Sequence, residues 1–311
     1  MIRSARQLKD KIRNLASDKS ADAQLLLRSY MMERFLERVA GSDYNRKFIL
    51  KGGMLVTSMV GFEARSTMDI DATINGETVS IEDTQRMIED IISLDLPDGA
   101  SFTINGVSEI MDDSEYPGVR IAMTAYMDGI KVPLKVDIST GDVITPRAVE
   151  YSYKLMFEDR SIRLLAYNLE TVLAEKLETI IARTTANTRM RDFYDIHILL
   201  KLYREKLDPV VLTNALLATS GRRGSAGMLD NAEKVLSDLH DSRDMEALWE
   251  NYRTKFGYAK DISWQSALRS VRELAVSAGL QVQKPSVIEQ LNELKSVTGK
   301  TPVHPKKSFE R

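Results

Sequence analysis

The segment from Lys51 to Asp71, KGGMLVTSMVGFEARSTMDID, holds residue types and spacings suited to chemistry at phosphorus. Gly52 and Gly53 have no side chain to block a phosphate or restrict φ, so their backbone can approach an anion at the start of a helix. Leu55, Val56, Met59 and Val60 follow at helical spacing. Beyond the turn at Gly61, Met68-Asp69-Ile70-Asp71-Ala72-Thr73-Ile74 alternates as a strand does, which puts Asp69 and Asp71 on one face and Ile70 in the core. Two carboxylates so placed are hard oxygen donors for divalent cations, and two such ions about 3.5–4 Å apart form a clamp for in-line displacement at phosphorus. Alone, an Asp-x-Asp pair equally suits a solvated strand edge, so its surroundings must decide.

Later segments add candidates. Leu134-Lys135-Val136-Asp137-Ile138 reads as a strand; as an antiparallel neighbour of the Asp69–Asp71 strand it offers Asp137 as a third carboxylate, although such an Asp also fits an exposed edge. Residues 168–183, NLETVLAEKLETIIAR, pattern as a helix with Asn168 as N-cap and Leu169, Val172, Leu173, Leu177 and Ile180 on one stripe. Glu175 and Lys176 lie within it, where a solvent-facing pair is the plain structural reading. Arg191 and Asp195 stand four residues apart, the spacing of an ion pair that merely orders a helix. Lys176 otherwise suits a point charge on a triphosphate, and Arg183, Arg189 and Arg191 suit bidentate bonds to phosphate oxygens. His197 reads as a packed helix residue, and Met111-Asp112-Asp113-Ser114-Glu115 as a solvated acidic loop.

These groups need a scaffold, and the composition provides for one. The chain has 311 residues, 43% hydrophobic and 28% charged, enough for one large or two modest domains with an ample core. Without cysteine it has no disulfides and no thiolate metal sites. No segment approaches the roughly 18 apolar residues of a membrane span and the N-terminus lacks a signal-peptide core, so a cytoplasmic location is expected. A net charge of −2 gives no global attraction to nucleic acid, and any such contact must come from local patches.

The pattern predicts helices over 5–15 and 23–39, the second capped by Ser20 or Asp22, then a short strand at Phe48-Ile49-Leu50 entering the glycine pair. A helix over 80–94 and strands over 101–110, 118–127 and 130–139 follow, the last two joined by a tight Asp128-Gly129 hairpin. Beyond Tyr203 the pattern is helical to about Val297, with Gly221-Arg222-Arg223-Gly224 read as a flexible basic loop able to meet RNA phosphates.

Gly-Gly, a helix, then hydrophobic-Asp-hydrophobic-Asp resembles the signature of the polymerase-beta type nucleotidyltransferase superfamily. With Arg65 and Thr67 before the carboxylates, Leu173-Glu175-Lys176-Leu177, and Arg191-Asp192-Phe193-Tyr194-Asp195, the sequence resembles the AbiEii/AbiGii toxin family over residues 35–203. The resemblance implies an α+β fold, a mixed or antiparallel sheet flanked by helices with an α-helical C-terminal domain. The implied layout is a helical cap over 1–45, a nucleotidyltransferase core over 46–203, helices over 204–297 and a flexible tail over 298–311.

It also implies a toxin of a type IV-like toxin–antitoxin system used in phage defence, countered by an antitoxin encoded nearby. The implied chemistry is transfer of a nucleotide from a nucleoside triphosphate to RNA, the 3′ acceptor end of tRNA above all. The same resemblance leaves open a protein acceptor, or a nucleotide-binding regulator without turnover. It assigns Asp69, Asp71 and Asp137 to Mg²⁺, with Mn²⁺ as an alternative, and makes Asp69, Asp71, Lys176, Asp192 and Asp195 catalytic. Gly52, Gly53, Ser58, Arg65, Thr67 and Arg191 would hold the nucleotide. Met54 departs from the pattern where a hydroxyl residue often follows the glycines, which shifts that phosphate contact to backbone N–H groups, Thr57 or Ser58.

Overall fold

The computed structural model of the chain describes residues 2, 4–19, 21–75, 80–110 and 118–283. The acidic loop at Met111-Asp112-Asp113-Ser114-Glu115, the helical pattern beyond 283 and the tail lie outside these residues.

The amphipathic N-terminal segment forms α1 (Ala5–Lys19), a turn longer than its apolar spacing predicts. Asp22 then caps α2 (Ala23–Gly41), its carboxylate accepting from the N–H groups of Gln24 and Leu25. Next come β1 (Phe48–Lys51), α3 (Gly52–Val60), β2 (Ile70–Ile74) and α4 (Ile81–Ser93), the last capped by Ser80. The strands β3 (Ser101–Ile110), β4 (Gly118–Met127), β5 (Ile130–Thr140), β6 (Val149–Lys154) and β7 (Ser161–Ala166) follow. Between β4 and β5, Asp128 and Gly129 both take positive φ, 44° and 83°, the backbone of a two-residue type I′ turn. Asn168 caps α5 (Leu169–Arg183), accepting from Thr171 N–H at 2.8 Å. The chain continues through α6 (Met190–Tyr203), α7 (Pro209–Arg223), α8 (Ala232–Asp241), α9 (Arg243–Lys255) and α10 (Trp264–Ser277).

The seven strands form one mixed sheet in the order β3-β4-β5-β2-β1-β7-β6. β1 and β2 are antiparallel, whereas β2 runs parallel to β5, and β1 parallel to β7. The expected antiparallel pairing of the Asp137 strand with the Asp69–Asp71 strand is therefore corrected to a parallel one. A parallel pair needs a long crossover, and α4, β3 and β4 lie between β2 and β5 in the chain.

Ile49, Leu50, Ile70, Ala72, Val136 and Ile138 of the central strands are buried, as the alternation of β2 predicts for Ile70. Phe35 of α2 meets Phe48 and Phe102 edge-on, sealing one face of the sheet. The C-terminal helices join the same core through Phe193 of α6, whose ring lies 5.0 Å from that of Trp264. Gly221-Arg222-Arg223-Gly224 is not a loop: its first three residues are the last turn of α7, and only Gly224 takes the left-handed conformation, φ 70°, that ends it.

Glu33 of α2 is buried and accepts from the N–H of Met156 at 3.0 Å and, at 3.5 Å, from the hydroxyl of Tyr153. Burial pushes its carboxyl up from 4.5 to about 8, the nearby Arg34 guanidinium only partly opposing and Glu158 adding. Between those values the folded chain keeps a proton that the unfolded chain has released, so stability falls as pH rises through this window. Glu33→Gln should flatten that fall, leaving stability near wild type at pH 5 and raising it by on the order of a few kcal/mol at pH 8, since each tenfold difference in proton affinity is worth about 1.4 kcal/mol. Urea unfolding at the two pH values checks this; parallel pH profiles for variant and wild type would contradict it.

Candidate active site

Sheet register lines up the central charges. Lys51 pairs in register with Asp71 across β1 and β2, Asp71 with Asp137 across β2 and β5, and Asp137 with Arg120 across β5 and β4. Side chains directly opposite one another on adjacent strands share a face. The result is a rung of Arg120, Asp137, Asp71 and Lys51, with two carboxylates flanked by two cations. Arg120 holds Asp137 by two bonds of 2.8 Å, and Asp69, one step before β2, lies 3.2 Å from Lys135.

Gly52 and Gly53 make room for this rung. Gly52 has φ 60°, and a Cβ on it would lie 2.2 Å from Oδ2 of Asp71; one on Gly53 would lie 2.4 Å from Oγ1 of Thr67 and 2.7 Å from Nη1 of Arg65. Gly53 N–H donates to Asp71 at 3.0 Å. The glycine pair thus seats a carboxylate and its neighbours, a closer fit than the phosphate approach read from sequence.

The rung lies in a cavity of about 860 Å³, within the range of small-molecule sites. Its walls carry nine basic residues (Lys51, Arg65, Arg120, Lys176, Arg183, Arg189, Arg191, Arg223 and Lys255) against five acidic ones (Asp69, Asp71, Asp137, Glu175 and Asp192). In a chain of net charge −2 this local excess of positive charge suits a polyanionic ligand.

Behind the wall, charges are tightly paired. Lys176 Nζ meets Asp192 at 2.7 Å and Asp195 at 2.8 Å, while Asp195, fully buried, also accepts from Arg65 Nε and Nη2 at 3.1 and 3.2 Å. Burial acts against the Lys176 charge, but Asp192 and Asp195 outweigh it and raise its pKa; burial would raise Asp195, but Arg65 and Lys176 hold it below the ordinary carboxylate value. Arg65 Nη1 donates to the Gly53 carbonyl at 2.8 Å, so the pair also ties α6 to the glycine turn. Lys51 is held by Asp142, whose Oδ2 also accepts from Tyr167 at 2.6 Å and Ser139 at 2.9 Å.

Gly52, Gly53, Arg65, Thr67, Asp69, Asp71, Asp137, Lys176, Arg191 and Asp192 all line the cavity. Ser58 does not join them: its hydroxyl donates to Leu55 O and lies 2.9 Å from the Tyr151 hydroxyl, on the side of α3 turned away from the cavity. Thr57 is likewise committed, its hydroxyl donating to Gly53 O at 2.9 Å. Asp195 sits behind the wall and binds cations, not Arg191, which lies over the Phe256 ring. Arg65 lines the cavity but is buried and bonded to protein on each side, to Asp195 and to the Gly53 carbonyl. Arg223 faces the cavity but pairs with Glu175 and Glu178, and Arg222 bonds to Gly141 O outside it.

Sequence reasoning missed Lys51, Asp142, Tyr167, Arg120 and Phe256. For Arg120 a signal was present: counting seven residues outward from Met127 and Ile130, which flank the Asp128-Gly129 turn, places it opposite Asp137.

Asp69, Asp71 and Asp137 fit a divalent cation by chemistry, since all are carboxylates. Burial, with Asp137 and Asp69 adding to it, raises the Asp71 pKa against the opposing Gly53 N–H and Lys51, a repulsion that bound positive charge would relieve. Among the described residues no three ligand side chains already stand at metal-binding spacing. Asp69 and Asp137 would therefore have to exchange Lys135 and Arg120 for the ion.

An acidic rung on a mixed sheet, set in a cation-rich cavity, suits an enzyme acting on a phosphate-bearing substrate. Residues 34–270 match the family model described as nucleotidyl transferase AbiEii toxin of type IV toxin–antitoxin systems, and the chain belongs to that family. The fold is similar to that of MenT4, a nucleotidyltransferase toxin of Mycobacterium tuberculosis, with a TM-score of 0.56 and 13% identity over 91% of this chain and 92% of that one. JHP933 of Helicobacter pylori aligns over 89% of this chain and 97% of its own at 16% identity, with a TM-score of 0.45. No curated protein matches the chain. No helix among the described residues is long and apolar enough to cross a membrane.

Proposed function

We propose that this nucleotidyltransferase moves a nucleotide from a nucleoside triphosphate to the 3′-terminal hydroxyl of an RNA, with tRNA as acceptor, and that a cognate antitoxin encoded nearby opposes it. The observation that carries this reading is the Lys51-Asp71-Asp137-Arg120 rung inside a cavity with excess positive charge.

In this reading the acceptor oxygen bonds to the α-phosphorus, the bond from that phosphorus to the bridging oxygen breaks, and pyrophosphate leaves. Asp69, Asp71 and Asp137 would hold Mg²⁺, or Mn²⁺, which supplies Lewis acidity to the phosphoryl oxygens. Lys176, with Arg183, neutralises the charge of the triphosphate and of the leaving pyrophosphate, while Arg189 is left for the RNA. Asp192, at the cavity surface, orients the attacking hydroxyl, while Asp195 and Arg65 fix Lys176. Asp137, where it does not complete the metal site, would serve as the base that takes the proton, freed when Arg120 is drawn to phosphate.

Incubation with each labelled nucleotide and a mixture of tRNA and protein tests the acceptor. Label on tRNA, lost when its 3′-terminal diol is oxidised by periodate, is expected; label on protein alone would reject an RNA acceptor. Arg189 is exposed on the cavity rim. Arg189→Ala should raise KM for tRNA about fivefold to tenfold and make its logarithmic salt dependence shallower by about one phosphate contact. A variant with an unaltered salt slope would remove Arg189 from the RNA path.

A further inference from the structure

The cavity wall beside the α6 N-terminus is built by α9 and the residue that follows it, and its chemistry differs from that of the rung. Leu248, Asn251, Tyr252 and Lys255 lie on α9 at i, i+3, i+4 and i+7, a single helical face, and all line the cavity together with Phe256. Phe256 is half-buried. Its ring packs at 5.5 Å and 25° on Tyr258 and at 4.8 Å on Tyr252, while the Tyr252 and Tyr258 hydroxyls meet at 3.0 Å. Two cations flank the same ring, Arg191 at 5.4 Å and Lys255 at 5.5 Å. Next to it, the side-chain amide of Asn251 is exposed and makes no hydrogen bond among the described residues.

An aromatic ring stacked on Tyr258, with a guanidinium and an ammonium group over it, offers a nucleobase a cation–aromatic surface to stack against and charges for its phosphate. An amide carries both donors and an acceptor for the edge of a base. None of this is needed by a site that only grips phosphates. We infer that Phe256, with Arg191 and Lys255, is a nucleobase-stacking platform of this active site, and that Asn251 reads the edge of the base it holds. The inference rests on the nucleotidyl-transfer reading for its ligand class. Two sources of base share this chemistry, the incoming nucleoside triphosphate and the terminal nucleotide of an RNA acceptor.

The experiment measures binding separately from turnover. Dissociation constants of ATP, CTP, GTP and UTP, and of bulk tRNA, are determined for wild type, Phe256→Ala, Phe256→Trp and Asn251→Ala. Melting temperatures establish that each variant is folded, and Phe256→Leu replaces Phe256→Ala if the latter is not. Stacking on one aromatic ring predicts a loss of about tenfold for Phe256→Ala, retained binding for Phe256→Trp, and an altered order of preference for Asn251→Ala. A loss confined to nucleotides assigns the platform to the incoming base, and one confined to tRNA assigns it to the acceptor. Unchanged affinity for both in a folded Phe256→Ala or Phe256→Leu protein overturns the inference. If wild type binds through Phe256 but transfers nothing, the reaction reading fails and the platform stands; transfer that ignores Phe256 in both affinities gives the reverse.

Discussion

Asp71→Asn should lose transfer activity by about a thousandfold or more while the protein remains folded. Its carboxylate is the central member of the rung, between Asp137 and Lys51, and the amide of Asn cannot supply the negative charge that a divalent ion requires. Several kcal/mol of transition-state stabilisation depend on such an ion, and each 1.4 kcal/mol is about one decade in rate. Stability should move the other way. Burial and neighbouring carboxylates raise the Asp71 pKa, so the ionised group disfavours the folded state, and a neutral isostere that still accepts from Gly53 N–H removes that penalty. Initial rates and a thermal melt on one preparation check both halves; near wild-type transfer would remove Asp71 from the chemistry.

Asp195→Ala should instead destabilise the fold by about 3–5 kcal/mol, the cost of leaving buried charge without its partner. Asp195 has no exposed side-chain surface, and it joins Arg65 of the segment before β2 to Lys176 of α5. Its removal leaves Arg65 without a carboxylate partner and Lys176 with Asp192 alone. Asp192→Ala at the cavity surface should cost less stability and more activity. The midpoint of urea unfolding separates the two. An Asp195→Ala midpoint equal to wild type would show that the Arg65–Asp195–Lys176 group does not brace the site.

What could be read in the sequence was local. The Asp128-Gly129 turn, the caps Asp22 and Asn168, and the position of Ile70 all depend on a few neighbouring residues, and the structure agrees with each. The Asp69–Asp71 pair and Lys176 with Asp192 were legible through family resemblance, and they converge on one cavity.

The errors arose where partners lie far apart in the chain. Arg65 and Asp195 are separated by 130 positions, and Lys51 and Asp142 by 91; no periodicity encodes such pairings. Helical spacing left open an ordering ion pair between Asp195 and Arg191, whereas packing gives Asp195 to Arg65 and Lys176. At 221–224, two glycines suggested a loop, but a glycine within the last helical turn is tolerated and only the one at positive φ terminates the helix. Ser58 failed for a related reason: α3 turns it toward Tyr151 of β6, and a nine-residue helix does not announce which side faces the ligand.

The most direct test of nucleotidyl transfer compares nucleoside triphosphate labelled at the α-phosphorus with the same nucleotide labelled at the γ-phosphorus. Transfer through the Asp71 rung predicts that the acceptor gains α-label and not γ-label, with one pyrophosphate released per nucleotide added, and that Asp71→Asn abolishes both events. Acceptor that gains γ-label instead, or α-label that accumulates equally with Asp71→Asn, would contradict the assignment of this site.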